Sequence, residues 1–444
     1  MPARPRVLVF AAKLGYQTRS FNTAAEKLGI DLIFITDRCH QLDDPWNDGA
    51  LPVHFENPEE AAYTVLQSQR ALPVNGILAL GDRPGLTAAY VARGRGVLYH
   101  HPASVEACRS KLRSRETFRQ AGLPVPWFRV LPLTPLPEPS LLGISFPCVL
   151  KPLSLSASQG VMRANNRQEF LAGAARLLRI LQSPDIRASR EPNLDQMLVE
   201  GFLPGREVAV EALMTEGLLR VLAIFDKPDP LDGPYFEETI YVTPSRHSAS
   251  ELQGVEQSLE KVVAAIGLSH GPVHAEFRIN ENGVWPIEVA PRPIGGLCAR
   301  ALRFQAGEAE GIGLEELLLR HALQKPGSDA LREAAASGVF MIPVPASGIL
   351  EKVQGESEAR ATSGISGLEI TARLQDYIAA WPDGSSYLGF LFAREASPQK
   401  VEAALRSAHA KLNFTIRPRL PVEHPVTRTV PMGDEFLQKN PPQK

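Results

Sequence analysis

Two consecutive stretches of the sequence, GPVHAEFRIN at 271–280 and GVWPIEVAP at 283–291, alternate apolar and polar residues. A period of two predicts β-strands, each with one apolar and one polar face. The residues between them, Glu281-Asn282-Gly283, are typical of a three-residue hairpin loop with glycine at the position that requires a positive φ. The chain is therefore expected to form an antiparallel hairpin here.

That register pairs residue 280 with residue 284 and brings the carboxylates of Glu276 and Glu288 directly opposite each other. Opposed carboxylates repel, so the arrangement is costly unless a cation lies between them. Oxygen ligands with no cysteine nearby favour magnesium or manganese over zinc. The pair predicts a metal site, with a solvated polar face as the alternative, whereas a two-residue loop would put the carboxylates on opposite faces. His274 is a candidate substrate contact or a core histidine.

The chain is long enough for several compact units, since its 444 residues would make about three domains of roughly 150 residues each. A net charge of -2 provides no field that would attract nucleic acid or a membrane surface, so we expect small-molecule partners. No apolar run approaches the roughly 20 residues of a membrane span, and the start MPARPRVLVFAA lacks the features of a signal peptide. The cytoplasm is the expected location.

The four cysteines lie far apart, with no CxxC spacing, at Cys39, Cys108, Cys148 and Cys298. That pattern favours free thiols over a disulfide framework or a structural zinc site.

The N-terminal region alternates short apolar runs with amphipathic segments. The apolar runs are Val7–Phe10, Leu32–Ile35, Ile77–Leu80 and Val97–Tyr99, and the segment Ser20–Leu28 is closed by Gly29. This rhythm predicts a parallel α/β sheet. Ligands of such sheets lie at the carboxyl ends of the strands, so the loops Lys13–Thr18 and Gly81–Gly85 are candidate substrate contacts, with ordinary turns as the alternative.

A domain boundary is expected near residue 103, where the pattern becomes helical over Ser104–Gly122. The region up to about residue 325 mixes strands such as FPCVLKP with helices such as Glu251–Ile266, and it holds nearly all the polar residues placed inside apolar strands. We expect the active site there. The strand-rich pieces Gly338–Lys352 and Tyr387–Ala393 predict a smaller α+β domain, followed by a disordered tail.

Several residues of the central region suit a phosphate-bearing ligand. Lys151 ends the apolar run Phe146–Leu150, and a phosphate would explain a charge in that place. The next segment, SLSASQGV, contains Ser156, Ser158 and Gly160 and can fold its backbone N–H groups around phosphates, with a plain serine-rich loop as the alternative.

The segment VEGFLPGREVAVE at 199–211 places a Pro-Gly turn between a strand ending in Glu200 and a strand carrying Glu207 and Glu211. A hinge of this kind can present backbone groups to a base and a carboxylate to ribose hydroxyls. An ordinary β-hairpin is the alternative.

Two further segments carry candidate substrate residues. In EVAPRPIGG, Arg292 can neutralise a phosphoryl group or a carboxylate, and Gly295 and Gly296 allow close backbone approach to a ligand. In DKPDPLDGPYFEET, Lys227 and Glu237 lie in a Pro/Gly-rich segment that indicates a substrate loop, with a surface loop as the alternative.

Taken in order, Lys111, VLKP with Lys151, SASQGV, VEGFLPGREVAVE, GPVHAEF and PIEVAPRPIGG resemble the ATP-grasp superfamily over roughly residues 104–300. With DKPDPLDGPYFEET, the pattern is most similar to the L-amino-acid ligase and carnosine-synthase-like branch. The resemblance implies an ATP-grasp fold of α/β and α+β type. Its expected parts are an N-terminal α/β domain at 1–103, an ATP-grasp domain at 104–325 with a lid subdomain at about 124–198, and a C-terminal α+β domain at 326–444.

The resemblance also implies roles for individual residues. Those implied to bind ATP are Lys111, Lys151, Ser156, Ser158, Gly160, Glu200, Phe202, Leu203 and Glu207. Lys111 and Lys151 would contact the phosphates, and Glu207 the ribose. Glu276 and Glu288 would hold one or two Mg2+ or Mn2+ ions. Those implied at the acyl phosphate are Arg292, Gly295 and Gly296.

The sequence departs from the superfamily pattern in two respects. Ala290 stands where an asparagine ligand is usual, which puts a second magnesium ion in doubt. Ser156 and Ala157 stand where glycine is common in the phosphate loop, which predicts a stiffer lid.

The implied reaction is ATP-dependent ligation of a carboxylate and an amine, expected to be amino acids, through an acyl phosphate with release of ADP and phosphate. Arg292 and Lys227 are the expected catalytic cations, and Glu237 is a candidate acceptor of the amine's proton. The alternatives are an ATP-grasp carboxylase or ligase of nucleotide or cofactor synthesis, and an ATP-binding module without turnover. A homodimer is expected by analogy with the superfamily alone.

Overall fold

The computed structural model describes residues 4–12, 16–37, 50–136, 143–305 and 311–418. Over these residues the chain forms five β-sheets. None of the helices described is long and apolar enough to cross a membrane. Three cysteines, Cys108, Cys148 and Cys298, are buried free thiols, as expected, and Cys39 lies outside the described residues.

The N-terminal part is a parallel sheet of order β3-β2-β1-β4. Its strands are β1 Arg6–Ala11, β2 Asp31–Asp37, β3 Ala50–Val53 and β4 Gly76–Leu80, and its helices are α1 Tyr16–Leu28, α2 Pro58–Gln67 and α3 Asp82–Arg95. The parallel α/β prediction is confirmed, and Gly29 ends α1 with φ +64°. The strand expected at Val97–Tyr99 is wrong, because the N–H of Val97 is used to close the end of α3 on Ala92.

The next region contains two short helices and a four-stranded sheet with order β5-β8-β6-β7. The helices before it are α4 Pro102–Arg109 and α5 Lys111–Gln120. The strands are β5 Phe128–Pro132, β6 Cys148–Pro152, β7 Met162–Ala164 and β8 Gln196–Gly201, with helices α6 Arg167–Leu181 and α7 Pro184–Ala188. This sheet has its own apolar core around Phe170 and Leu177. It lies in the region expected to form the lid, so we call it the lid sheet, and the lid assignment itself stays a prediction.

The largest sheet has eight strands in the order β13-β12-β9-β10-β11-β17-β21-β19. The strands are β9 Arg206–Thr215, β10 Leu218–Lys227, β11 Ile240–Thr243, β12 Gly271–Asn280, β13 Gly283–Ala290, β17 Ala336–Ile342, β19 Ile365–Ile370 and β21 Gly389–Glu395. The helix α8 Ala249–Ile266 packs on β12 and β13. Because the sheet runs across residue 325, the expected boundary there does not interrupt hydrogen bonding, and the domain division stays a prediction.

The remaining strands form two small sheets. These are β14 Arg303–Gln305, β15 Ile312–Gly313 and β16 Leu331–Arg332 in one, and β18 Gly348–Gln354, β20 Tyr377–Ile378 and β22 Asn413–Arg417 in the other. The last helices are α9 Leu314–Ala322, α10 Glu356–Arg360 and α11 Pro398–His409. Strands therefore lie in both of the strand-rich pieces expected from the sequence.

Candidate active site

The opposed carboxylates lie on the hairpin of β12 and β13, where Glu276 pairs with Glu288 as predicted. The predicted hairpin loop is wrong, because Asn280 pairs with Gly283 and the loop has two residues. Such a loop alone would have put the carboxylates on opposite faces. A β-bulge at Ile287 adds one residue to β13 between Pro286 and Glu288 and restores the pairing. Gly283 has the expected positive φ, +115°.

Arg115 on α5 fixes this bulge and links it to the lid. Its Nη1 donates to the carbonyl oxygen of Ile287 at 2.8 Å, and its Nε donates to Oε2 of Glu200 at 2.8 Å. Lys151 on β6 also approaches Glu200, at 2.5 Å from Nζ to Oε1. Although burial alone would raise it, the two cations lower the pKa of Glu200 to about 2. Burial lowers the pKa of Lys151, and the charge of Glu200 partly offsets this.

Lys227 ends β10 with its ammonium inside a cluster of three carboxylates, rather than in a loop as expected. Its Nζ lies 2.8 Å from Glu207 Oε1 and 2.9 Å from Glu276 Oε1, and it also donates to Glu238. The side chain is 3% exposed. Burial opposes the charge, but the surrounding carboxylates raise the pKa of Lys227 well above its ordinary value.

The donor set fits a divalent cation at Glu276 and Glu288. Burial alone would raise the pKa of Glu276, but Lys227 and His274 hold it well below its usual range, so the group is an anion. Glu288 has neither a hydrogen bond nor an ion pair with the part of the chain that is described. Oxygen atoms of Glu207, Glu238 and Glu276 also lie within 4.8 Å of one another, but Lys227 lies among them. The pair Glu276 and Glu288 therefore remains the proposed metal site.

A cavity of about 700 Å3 lies between the lid sheet and the eight-stranded sheet. The predicted nucleotide residues on its wall are Lys111, Lys151, Ser156, Ser158, Glu200, Phe202, Leu203 and Glu207, together with Glu276 and Glu288. The charged groups on this wall are the cations Lys111, Lys151 and Arg278 and the carboxylates Glu200, Glu207, Glu276 and Glu288. Arg115 pairs with Glu200, and Lys227 pairs with Glu207 and Glu276. A divalent cation beside Glu288 would offset the remaining carboxylate charge that faces a polyphosphate.

The serine loop, which we define as residues 154–161, covers one side of this cavity. Lys111 Nζ donates to the carbonyl oxygen of Leu155 at 2.6 Å. The backbone N–H groups of Ser156, Ala157 and Ser158 have no acceptor among the described residues. Free N–H groups beside a lysine suit an anion such as phosphate. Gly160 does not line the cavity, but its φ is +74° and a Cβ there would lie 2.9 Å from Leu177.

The segment around Glu200 and Glu207 joins two different sheets, so the alternative of an ordinary hairpin is wrong, and its role as a hinge stays a prediction. Strand β8 pairs with β5 and β6 in the lid sheet, whereas β9 pairs with β10 and β12 in the large sheet. The N–H of Phe202 donates to the carbonyl oxygen of Pro147 at 3.1 Å, so it is engaged within the protein. Glu207 accepts from Lys227 and from Arg278 Nε at 2.9 Å.

A second cavity, of about 1120 Å3, adjoins the first and shares Ser156, Ser158, Glu276 and Glu288 with it. The predicted substrate residues on its wall are His274, Arg292, Gly295 and Gly296. Arg292 binds Asp82 at the start of α3, with Nε 2.7 Å from Oδ1 and Nη2 3.1 Å from Oδ2. The N-terminal sheet thus contributes to this cavity, as the candidate loop Gly81–Gly85 predicted. Gln17 of the other candidate loop also lines it, and residues 13–15 lie outside the described residues.

His274 is held by Glu211, whose Oε1 lies 2.5 Å from Nδ1. Burial opposes protonation, but Glu211 and Glu276 raise the pKa of His274 to about 9. The other oxygen of Glu211 accepts from the N–H of Ile294 at 3.1 Å and so fixes the segment after Arg292. Ala290 is the cross-strand partner of His274 and is 3% exposed.

Glu238, rather than Glu237, lies on the wall of the second cavity. Burial raises the pKa of Glu237 to about 7, and its Oε1 has no hydrogen-bond partner within the described ranges. Its role as a proton acceptor stays a prediction.

Sequence reasoning missed Arg115, Arg278 and Glu238 as site residues. Arg115 follows Lys111 by one helical turn, so helical periodicity could have placed both on one face. Glu238 adjoins a predicted residue, but no periodic pattern in that loop indicates which of the two carboxylates faces the cavity.

Comparison with known proteins agrees with this geometry. Residues 144–301 match the ATP-grasp domain, and residues 340–417 match L-amino acid ligase C-terminal domain 2. The crystal structure of L-amino acid ligase from Bacillus licheniformis superposes with a TM-score of 0.78 at 24% identity, covering 93% of this chain and 99% of that one.

Two curated relatives align with smaller shares of this chain than the Bacillus enzyme does. The uncharacterized protein y4rH of Sinorhizobium fredii is 22% identical over 355 residues, which are 79% of this chain and 70% of that protein. The ATP-grasp enzyme fsqD of Aspergillus fumigatus is 25% identical over 318 residues, 62% of this chain and 53% of the enzyme. The alignment thus spans only about half of the Aspergillus enzyme.

The chain contains an ATP-grasp domain, and residues of that domain form walls of the cavity between the lid sheet and the central sheet. The match over residues 340–417 extends through strands β17 to β22. The C-terminal part of the chain is thus similar to that of L-amino acid ligases.

Proposed function

We propose that this protein is an ATP-dependent carboxylate–amine ligase that joins amino acids through an acyl phosphate and releases ADP and phosphate. One observation carries the proposal: the two cavities meet at a wall shared by Ser156, Ser158, Glu276 and Glu288. A carboxylate in the second cavity is therefore well placed to meet the phosphate end of a nucleotide in the first.

Phosphorylation is needed because a carboxylate has only oxide as a leaving group, whereas an acyl phosphate can expel phosphate. Arg292 and Lys111 offer positive charge on either side of the shared wall, where negative charge builds up during transfer. A divalent cation on Glu276 and Glu288 would neutralise phosphate oxygens of the nucleotide.

In the second step the amine nitrogen forms a bond to the acyl carbon, and the bond from that carbon to the phosphate oxygen breaks. The ammonium proton must leave before or during this attack. Glu237 is our candidate acceptor because its pKa is raised to about 7, and Glu238 beside it lies on the cavity wall. Full activity of Glu237→Gln would exclude that role.

The polar and apolar parts of the second cavity support amino acids as the substrates. Arg292 suits a carboxylate, and Glu238 suits an ammonium group. Met341 and Phe390 give the same cavity an apolar wall for a side chain.

The test is to incubate the protein with ATP, magnesium and pairs of amino acids, to measure phosphate release and to identify the product by mass. We expect Glu288→Gln to reduce phosphate release by roughly a hundredfold or more, the scale for losing one transition-state stabiliser. Glu281→Gln, on the exposed turn of the same hairpin, is the matched control and should retain activity.

Full activity of Glu288→Gln would refute the metal assignment. Phosphate release that needs bicarbonate but no amine would indicate the carboxylase alternative. Nucleotide binding with no ADP formed on any substrate pair would indicate a binding module.

A further inference from the structure

The serine loop has an unusual backbone for its composition. Leu155, Ala157 and Ser158 have φ values of +78°, +55° and +53°, in the left-handed region that non-glycine residues rarely adopt. Such conformations persist only where the surrounding structure holds them. Contacts from another part of the chain should therefore hold this loop.

Those contacts come from a C-terminal segment, residues 381–386, which we name the clasp. The indole Nε1 of Trp381 donates to the carbonyl oxygen of Ala157 at 3.2 Å. The N–H of Gly160 donates to the carbonyl oxygen of Pro382 at 2.9 Å, and Gln159 Nε2 donates to that of Asp383 at 2.8 Å. Three hydrogen bonds thus join the clasp to the loop.

The clasp is also fastened to the lid away from the loop. Arg176 on α6 binds the carboxylate of Asp383 with both Nε, at 3.3 Å, and Nη2, at 2.7 Å. Its Nη1 donates to the hydroxyl of Tyr235 at 2.6 Å. The lid therefore contacts the clasp at two places, through the serine loop and through Arg176.

The clasp continues into the wall of the second cavity. The ring of Trp381 packs on Tyr387 with centroids 4.9 Å apart, and Ser385, Ser386 and Tyr387 line the cavity. One short segment thus contacts both the loop over the first cavity and the interior of the second.

We infer that the clasp positions the serine loop for nucleotide binding and that Trp381 is a positioning residue for this site. The free backbone N–H groups of the loop keep an arrangement that suits an anion only while the left-handed residues keep their conformation. The inference rests on the proposed function only in assigning nucleotide phosphates to this loop.

The first experiment uses Trp381→Phe, which keeps a ring against Tyr387 but removes the indole N–H. We expect faster amide hydrogen exchange at Gln159 and Gly160, whose N–H groups are hydrogen-bonded, in the ligand-free protein. We also expect binding of Mg-ADP to weaken roughly two- to tenfold, the scale of one hydrogen bond. Arg176→Gln removes the second attachment, is 30% exposed and should act in the same direction. Arg417→Gln, which breaks an exposed pair with Glu351 in the C-terminal sheet, is the matched control.

A rescue variant separates positioning from general stability. Ala157→Gly makes the left-handed conformation accessible without strain, so adding it to Trp381→Phe should recover part of the lost affinity for Mg-ADP. A purely structural role of Trp381 would not respond to this change.

The inference is overturned if amide exchange at Gln159 and Gly160 is the same in the wild type, Trp381→Phe and Arg176→Gln. It is also overturned if Ala157→Gly recovers no affinity in the Trp381→Phe background. Because exchange and Mg-ADP binding need no amino acids, failure to form a product would count against the proposed ligase reaction and not against the clasp.

Discussion

Replacing Lys227 by methionine tests how much its ammonium group stabilises the protein by offsetting the charge of the neighbouring carboxylates. Methionine fills a similar volume but leaves Glu207, Glu238 and Glu276 without the ammonium that contacts all three. Removing one partner of a buried ion pair costs about 3–5 kcal/mol, because the remaining charge is uncompensated. We expect the free energy of unfolding to fall by at least that amount in EDTA.

The assay is urea denaturation followed by circular dichroism, in EDTA and in excess magnesium. Since carboxylates within 4.8 Å of one another can share a metal ion, magnesium should stabilise Lys227→Met more than the wild type. Adding Glu238→Gln should recover part of the loss, because one uncompensated charge disappears. The control Lys27→Met removes a lysine that is 52% exposed and should cost about 1 kcal/mol or less.

Stability of Lys227→Met within about 1 kcal/mol of the wild type in EDTA would refute this electrostatic reasoning. An equal magnesium effect on both proteins would show that the vacated cluster does not attract the ion.

Two further predictions concern other charged groups of the site. Arg115→Met should lower the free energy of unfolding by about 3–5 kcal/mol and raise the KM for ATP, because Glu200 and the carbonyl oxygen of Ile287 lose a hydrogen-bond donor. Urea denaturation and steady-state kinetics measure the two effects, and Arg115→Lys should show smaller ones. Folding raises the pKa of His274 from 6.5 to about 9. The protonated ring therefore adds to the free energy of unfolding fully below pH 6.5, and this stabilisation is lost as the pH rises through 9. Thermal unfolding should show a loss of at most about 3 kcal/mol over that window, absent from His274→Gln; parallel pH profiles of the two proteins would contradict it.

Periodicity predicted much of the fold, because strands and helices leave local patterns. The parallel N-terminal sheet and helix α8 could be placed from apolar spacing alone. The failure at Val97–Tyr99 shows the limit, since a three-residue apolar run after a helix can close that helix instead of forming a strand.

The row of alternating charges formed by Lys227, Glu207 and Arg278 could not be predicted in the same way. Lys227 pairs across the strands with Glu207, and Glu207 pairs with Arg278. The three residues lie on three different strands, and β12 reaches β9 only after a long intervening helix. Local sequence fixes neither that register nor the contact of the serine loop with Trp381, more than two hundred residues away.

The hairpin of Glu276 and Glu288 shows how a wrong local prediction can still give the correct pairing. The opposed carboxylates require a particular register, and a two-residue turn alone would destroy it. Pro286, which lacks an N–H, lies on the edge strand β13, where a break in the ladder costs least. The bulge next to it shifts the register by one residue, and Arg115 binds the carbonyl oxygen that the bulge presents. The turn is therefore free to vary as long as the bulge compensates, and the side-chain pairing is the feature that chemistry at this site would constrain.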